Sequence, residues 1–346
     1  MSRVNFSPAS ILIIDFGQLG DVVMSLPALR AVREHFPRAR ITVAVGKPGA
    51  DVINISGYAD ALIVIDRVSL RDGFKPLSIW RVLQIVKDVR RRQFDFVIDL
   101  HSFSETNLLG FLSGAPKRLF SRRPGRSLDF LASFEPQPPI DRNDPKVHLT
   151  DRYLGVLAPL GIRQAERKPR LVSRPTDDRE IERLLRITNG NFGRPLVGLN
   201  PGAGHKGRRW PLEKFVELAD CLVRNDDVRI VVFAGPEEVD LLPQLRRAFP
   251  APALILHNLT IGKLLAAQAR LSVFVSNDTG PVHLAAAVGV PLVLLSQPRA
   301  PETYVPLNEP KRIIRHCELP DITVEEVYAA TRELLVAGRT ESLFAV

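Results

Sequence analysis

The chain contains 346 residues, a length that predicts two domains of roughly 150 residues each. Its apolar content of 45% excludes wholesale disorder, two cysteines exclude a disulfide framework, and the longest uncharged apolar stretch, residues 284–295, is too short to span a bilayer. The net charge of +9 comes from residues 1–175, which carry +10 by themselves, but no basic motif interleaved with aromatic residues points to an RNA-binding module.

The amino-terminal half alternates apolar strands with helices. Residues 11–14 are uniformly apolar, as in a buried parallel strand, and apolar residues at 22–36 recur every three or four positions, as in a helix. The alternation predicts an α/β fold with a parallel, doubly wound sheet. The other predicted elements of this half are a helix at about 78–92 and strands at 41–45, 61–65 and 96–100.

The first residues lead straight into the first strand and contain no apolar core of a secretory signal peptide. The low cysteine content fits a reducing compartment. We therefore expect a soluble cytoplasmic protein.

Two polar residues of this half follow predicted strands. Asp21 comes after Gly20 at a predicted helix start, whose positive end favours an ionised carboxylate that can accept a proton from a substrate hydroxyl. Taken alone, Asp21 is more simply explained as an N-cap. His101 follows the strand at 96–100 and is expected to line a ligand cleft, although a lone histidine there is more often structural.

Basic residues of the first half are concentrated in two segments. Arg90–Arg92 end a predicted helix, where cations are favourable, so a solvated helix face explains them. Residues 117–126 are predicted to form a loop, and Arg122 and Arg123 fit phosphate contacts and solvated charges equally well. A basic face of this kind also attracts anionic membrane surfaces.

The second half repeats the strand–helix alternation after a proline-containing linker at 168–178. We expect two Rossmann-like domains, 1–172 and 173–346, with a ligand cleft between them. A capping-box helix at about 323–337 belongs to the second domain or packs back toward the first. The other predicted elements of this half are strands at 196–200, 228–234, 254–256, 271–275 and 291–295 and helices at 211–224, from 236, from 260 and at 284–289.

The turn at 276–283 is the most informative segment. It joins an apolar strand to an alanine-rich helix, and free backbone N–H groups at such a helix start favour a phosphate. One polar residue would suffice to cap this helix, whereas a cluster favours a ligand site. The clustered residues are Asn277, Asp278, Thr279, Gly280 and His283.

The loop at 200–211 is a second candidate anion site after a strand. Its glycines allow close approach of the backbone, but Gly207 precedes two arginines where a Walker A motif needs Lys and Ser or Thr, so ATP hydrolysis is disfavoured. After the next strand, Glu237 or Glu238 could bind ribose hydroxyls, or could simply favour the first turn of a helix. The candidate residues of the loop are Asn200, Gly202, Lys206, Arg208 and Arg209.

The sequence offers no familiar metal motif. No two aspartates stand two positions apart, so an Asp-x-Asp site for a metal diphosphate is missing, and no Cys/His group has zinc spacing. A diphosphate would have to be stabilised by basic side chains and helix N-termini.

These motifs together resemble glycosyltransferase family 9, the bacterial lipopolysaccharide heptosyltransferases, along nearly the full length of the chain. The resemblance is carried by three segments, which are Gly20-Asp21-Val22-Val23 with Leu26-Pro27-Ala28-Leu29, Asn200-Pro201-Gly202-Ala203 with Arg209-Trp210-Pro211, and Asn277-Asp278-Thr279-Gly280-Pro281 with His283.

The resemblance implies a GT-B fold and an inverting, metal-independent transfer with no cofactor beyond a nucleotide-sugar donor, ADP-heptose being the expected one. It implies that the first domain binds the acceptor and that the second binds the donor. We expect a phosphorylated, lipid-linked acceptor, and the candidate acceptor-binding residues are Gly20, His101, Arg122 and Arg123. Asp21 takes the place of the family's proposed base, Arg208 that of a diphosphate-binding residue that is often lysine, and Glu237 or Glu238 that of a ribose ligand. The basic first half leads us to expect peripheral contact with the inner membrane, and we expect no nucleic-acid partner.

Three positions depart from the family pattern. Asp15 replaces the usual basic residue before the first glycine turn, His101-Ser102 replaces a Gln-Gly or His-Gly pair, and Leu295-Ser296-Gln297-Pro298 replaces a Phe-Gly-Pro-Thr segment. The departures concern substrate identity more than reaction class. Two alternatives stay open, a nucleotide-sugar epimerase of the same architecture and a non-catalytic glycan- or nucleotide-binding protein.

Overall fold

The structure is a computed structural model that describes residues 6–66, 76–162, 164–188, 194–249, 253–298 and 302–344. The chain divides into two compact units, Met1–Pro169 with Glu302–Tyr304, and Arg170–Pro301 with Val305–Val346. Each unit contains one parallel sheet, which confirms the predicted α/β fold class. Within the described ranges no helix has the length and apolar character needed to cross a bilayer.

The first unit is built on a five-stranded sheet in the order β3-β2-β1-β4-β5. Its centre, β1, is buried on both faces, because Ile11–Ile14 leave no polar side chain to direct toward water. The strands are β1 (Ser10–Asp15), β2 (Arg40–Gly46), β3 (Ala61–Ile65), β4 (Phe96–Asp99) and β5 (Lys117–Phe120). The helices are α1 (Leu19–His35), α2 (Ala50–Ser56), α3 (Pro76–Arg91), α4 (Ser104–Leu112) and α5 (Leu149–Val156).

The second unit contains a six-stranded parallel sheet in the order β11-β10-β9-β6-β7-β8. Its core contains Trp210, Phe215 and Phe274, each at most 1% exposed. The strands are β6 (Leu196–Asn200), β7 (Arg229–Ala234), β8 (Leu254–His257), β9 (Val273–Asn277), β10 (Leu292–Ser296) and β11 (Lys311–Arg315). The helices are α6 (Pro175–Thr188), α7 (Leu212–Asp226), α8 (Leu242–Ala248), α9 (Ile261–Gln268), α10 (Gly280–Ala287) and α11 (Val324–Phe344).

Some elements differ from the sequence-based expectations. The predicted loop at 117–126 begins with β5, an edge strand in which only Leu119 and Phe120 are buried. Helix α6 begins at Pro175, inside the stretch predicted as a linker. The capping box of α11 is confirmed, since Thr323 N–H donates to Glu326 Oε2 at 2.8 Å and Glu326 N–H donates to Thr323 Oγ1 at 3.2 Å. This helix packs on α7 and on the sheet of its own unit.

Both sheets reverse their winding direction beside their first strand. In the first sheet β1 lies between β2 and β4, and in the second β6 lies between β7 and β9. The carboxyl ends of β1 and β4, and of β6 and β9, are therefore the switch points at which open α/β sheets bind ligands.

Candidate functional site

The switch point of the first sheet holds Asp21. This residue occupies the third position of α1 rather than the N-cap, which is Gln18, and its Oδ2 accepts the Gln18 N–H at 2.9 Å. The half-buried carboxylate thus lies at the positive end of α1, which favours its ionised form.

Asp15 ends β1 and is completely buried. Its Oδ2 accepts a hydrogen bond from Ser25 Oγ at 2.5 Å, and its Oδ1 accepts the Gly17 N–H at 3.1 Å and lies 3.1 Å from His101 Nδ1. Burial raises the pKa of Asp15, but the charge of His101 and these hydrogen bonds outweigh it, so the pKa lies below its ordinary value. The Asp15 side chain is therefore ionised although it is completely buried.

His101 connects this carboxylate to a tyrosine. Its Nε2 lies 2.7 Å from the Tyr153 hydroxyl, and its ring stacks on Phe103 with the centroids 5.3 Å apart. Burial lowers the pKa of His101, but the negative charges of Asp15, Asp21 and Asp99 have a larger effect in the opposite direction. The pKa of His101 therefore lies above its ordinary value. Burial beside these carboxylates holds the pKa of Tyr153 well above 10, so its hydroxyl stays neutral.

Gly17 sits between the imidazole and the candidate base. A Cβ atom added to Gly17 would lie 2.5 Å from Asp21 Cβ and 2.8 Å from His101 Cε1. Only glycine fits here, and the absence of a side chain lets Asp21 and His101 approach one another.

Asp99 shapes the loop that carries His101. It accepts the Ser102 N–H at 2.8 Å, the His101 N–H at 3.2 Å and the Asn107 side-chain amide at 2.8 Å. Complete burial raises the pKa of Asp99 to about 6, although interactions with Thr106, Ser102 and His101 partly oppose the shift. Ser102 has a φ of 49°, a left-handed conformation that favours the glycine usual at this place in the resembled family.

The two arginines predicted to bind an acceptor differ in environment. Arg123 donates to the His101 carbonyl at 3.0 Å and lies 3.8 Å from Asp141, so it holds the His101 loop. Arg122 is exposed. Gly20 lies in the first turn of α1.

The switch point of the second sheet is organised by two asparagines. Asn277 ends β9, and its amide nitrogen donates to the carbonyls of Asn200, Pro201 and Gly202 at 3.1–3.4 Å, while its oxygen accepts the Trp210 N–H at 3.0 Å. This side chain therefore holds the 200–210 loop.

Asn200, at the end of β6, links the same loop to the turn after β9. Its amide donates to Ser276 Oγ at 3.0 Å and to Thr279 Oγ1 at 3.2 Å. Thr279 is the N-cap of α10 and Gly280 is its first residue, so these contacts fix the helix start against the loop. His283, inside α10, is 6% exposed.

The consecutive arginines of the loop have separate environments. Arg209 donates from two nitrogens to the Ala203 carbonyl, at 2.9 and 2.7 Å, and so pins the loop. Arg208 is exposed, and its charge, with that of Arg315, acts on Asp278. Burial raises the pKa of Asp278 and these two arginines oppose that rise.

Glu238 is buried between two loop ends. Its Oε2 accepts the Gly235 N–H at 2.8 Å, and a Cβ added to Gly202 would lie 2.6 Å from its Oε1. The carboxylate therefore joins the ends of β6 and β7. The side chains of Lys206 and Glu237 lie outside the described part of the structure.

Several members of these clusters were not among the predicted site residues. Asp99 carried a signal, since it is a charged residue at the end of an apolar strand. Tyr153 lies 52 residues from its partner His101 and carried none. Arg315 ends β11, a strand that the sequence did not predict. The described residues include no group of three or more His, Cys, Asp or Glu side chains placed to hold a metal ion.

Comparison with known proteins gives a consistent family match. Residues 82–329 match the model of glycosyltransferase family 9 (heptosyltransferase). Lipopolysaccharide heptosyltransferase 2 of Salmonella typhimurium is 25% identical, over 94% of this chain and 98% of its own length.

Solved structures share the fold. The glycosyl transferase family 9 protein of Veillonella parvula is 22% identical with a TM-score of 0.83, over 97% of this chain and 99% of its own. The E. coli heptosyltransferase WaaC, solved with ADP-2-deoxy-2-fluoro heptose, is 19% identical with a TM-score of 0.75, over 94% of this chain and 99% of its own.

Proposed function

Because the chain belongs to glycosyltransferase family 9, we propose that this glycosyltransferase moves heptose from ADP-heptose to a hydroxyl of the lipopolysaccharide inner core. The transfer inverts the configuration at the anomeric carbon and uses no metal ion. The first unit activates the acceptor and the second binds the donor. The charge of +10 in residues 1–175 supports contact with a phosphorylated, lipid-linked acceptor at the cytoplasmic face of the inner membrane.

The proposed base is Asp21. Its carboxylate takes the proton of the acceptor hydroxyl while the hydroxyl oxygen bonds to the anomeric carbon and the bond from that carbon to the diphosphate oxygen breaks. The observation that carries this assignment is the position of Asp21. It lies at the N-terminus of α1, at a switch point, and it shares the neighbour Gly17 with His101. The helix end favours the ionised carboxylate that a base requires. The neighbouring carboxylates raise the pKa of His101, and the protonated imidazole favours an ionised Asp21 as well.

The proposed diphosphate site is the start of α10 together with Arg208. The positive end of this helix and the exposed guanidinium are suited to stabilise negative charge on the departing ADP. Lys206 is included on the basis of its place in the loop. Asn200, Asn277, Arg209 and Glu238 support the site by fixing the backbone that surrounds it.

Transfer is tested with ADP-heptose and heptose-free lipopolysaccharide core, by following ADP release and the mass of the acceptor. We expect Asp21→Asn to lower kcat by about 10²- to 10⁴-fold, the usual contribution of a general base, with ADP affinity unchanged. Asp51→Asn, in the first turn of α2, is the matched control because Asp51 is exposed. Full turnover by Asp21→Asn would contradict the assignment.

Two further readouts test the finer parts of the proposal. The anomeric configuration of the product establishes inversion or retention, and an unchanged rate in a chelator supports transfer without a metal ion. Conversion of the donor without any acceptor would instead favour the epimerase alternative.

A further inference from the structure

Large apolar side chains are exposed together on one side of the first unit. Trp80 and Leu83 on α3 are 57% and 61% exposed, Phe111 on α4 is 46% exposed, and Phe130 in the short helical turn at 129–131 is 76% exposed. Single exposed apolar residues are ordinary in proteins, whereas a cluster marks an interaction site.

These side chains share a surface because the three elements pack on one core. Val89 of α3, Leu109 of α4 and Leu131 of the turn join a single cluster against the same side of the sheet, where it contains Val97 and Phe120. Their opposite sides therefore point outward together.

The outward side of α3 is mixed in character. Trp80, Leu83, Lys87 and Arg91 are spaced by three or four residues, so they form one stripe on the side of the helix away from Val89. All four are exposed. We use the term outer face for Trp80, Leu83, Lys87, Arg91, Phe111 and Phe130.

A further basic residue adjoins the outer face. The Arg118 guanidinium lies 5.4 Å from the centroid of the Phe111 ring. On α3 the acidic Asp88 is paired with Arg92 at 3.1 Å, which leaves the stripe itself cationic. The surface thus combines apolar anchors with positive charge.

We propose that the outer face docks on an anionic phospholipid bilayer. Trp80, Leu83 and Phe130 enter the boundary between headgroups and acyl chains, while Lys87 and Arg91 meet lipid phosphates. Interleaved lysine and exposed aromatic residues fit a membrane interface, whereas the core of a protein–protein interface is depleted in lysine. The inference rests on the proposed function only for its purpose, which is to bring the enzyme to a lipid-linked acceptor.

Tryptophan fluorescence gives a direct test, because the chain has two tryptophans and Trp210 is 1% exposed in the core of the second unit. We expect vesicles of phosphatidylglycerol and phosphatidylcholine, but not of phosphatidylcholine alone, to shift Trp80 emission to the blue. The shift should disappear in Trp80→Phe. An unchanged Trp80 emission with anionic vesicles would overturn the proposal.

Vesicle cosedimentation tests the two kinds of contact separately. Lys87→Glu/Arg91→Glu should bind anionic vesicles at least about 30-fold more weakly, the loss expected for two basic contacts, and Leu83→Ser/Phe130→Ser should also bind weakly. The matched controls Arg224→Glu/Arg246→Glu and Val336→Ser change exposed residues of the second unit and should bind normally. Equal weakening by the controls would overturn the proposal, as would lipid-free self-association that the outer-face variants abolish.

The docking inference and the proposed function fail in different ways. Transfer to a delipidated, water-soluble core oligosaccharide should be the same in the wild type and in the outer-face variants. Absence of transfer in all of them, when the wild type binds anionic vesicles and the outer-face variants bind weakly, would contradict the function and support the docking surface.

Discussion

His101 Nδ1 lies 3.1 Å from Asp15 Oδ1, and this ion pair is buried at the switch point of the first sheet. The two residues are brought together because β1 and β4 are neighbours, with Ile14 in register with Asp99. Asp15 accepts the Gly17 N–H, and the His101 ring and Asp21 both lie next to Gly17. The pair therefore places a buried carboxylate and an imidazole with a raised pKa close to Asp21.

The ion pair predicts a stability contribution that depends on pH. Because the folded chain raises the pKa of His101 above 6.5, the contribution is fully present below pH 6.5 and is lost as pH rises through the folded pKa. We expect Asp15→Asn to lower the free energy of unfolding by about 3 kcal/mol near pH 6, since it leaves a buried cation unpaired or forces it to lose its proton. The difference from wild type should narrow at pH 9.

Urea unfolding at the two pH values measures this difference. Asp51→Asn removes an exposed carboxylate and serves as the control, for which we expect little change at either pH. A loss in Asp15→Asn that is equal at pH 6 and pH 9 would show that the charge of His101 plays no part.

The strands and turns at the two switch points were predictable because their signals are local. The apolar run Ile11–Ile14 predicts a buried strand, and the segment predicted as a turn at 276–283 begins in the last two residues of β9. The edge strands β5 and β11 were not predicted because both begin with two charged residues, Lys117-Arg118 and Lys311-Arg312. The edge strands β3 and β8 begin with apolar residues and were predicted. Tyr153 could not be assigned to His101 because nothing local links them.

The sequence also could not show which residues of a motif face a ligand and which hold the loop backbone. Asn277 and Arg209 were grouped with the donor ligands, yet their side chains bond to the backbone of the 200–210 loop. Short polar residues serve loop backbone and ligands with the same atoms, so only three-dimensional contacts separate the two roles.

The left-handed backbone conformation of Ser102 predicts that glycine is tolerated better than alanine at this position. A side chain in the left-handed conformation costs about 1 kcal/mol relative to glycine, whereas its hydroxyl accepts only a 3.3 Å hydrogen bond from Asn107. We expect Ser102→Gly to leave the free energy of unfolding unchanged or raise it by up to about 1 kcal/mol. Ser102→Ala, which keeps the Cβ and loses the hydroxyl, should lower it. The reverse order in denaturant unfolding would refute this account.

Gly17 predicts a loss of activity through crowding. In Gly17→Ala the new methyl group would meet Asp21 and His101 at distances far below van der Waals contact, so one of them must move. We expect kcat to fall about 100-fold, as when a catalytic group is misplaced by about 1 Å, while ADP binding is kept. The control is Gly155→Ala in α5, where nothing lies within 4 Å of the added atom. Normal turnover by Gly17→Ala would remove the reason for placing the base there.

Arg208 and Arg209 are adjacent but should respond differently to alanine. Arg208 is exposed and acts electrostatically on Asp278, so Arg208→Ala should weaken ADP binding about 10- to 100-fold, the loss of a charged contact, and leave the melting temperature unchanged. Arg209 holds the Ala203 carbonyl with two nitrogens, so Arg209→Ala should lower the melting temperature and weaken ADP binding indirectly. Calorimetric titration with ADP and thermal unfolding separate the two effects. If Arg208→Ala keeps both its melting temperature and its affinity for ADP, Arg208 does not contact the diphosphate. The diphosphate site would then have to lie elsewhere.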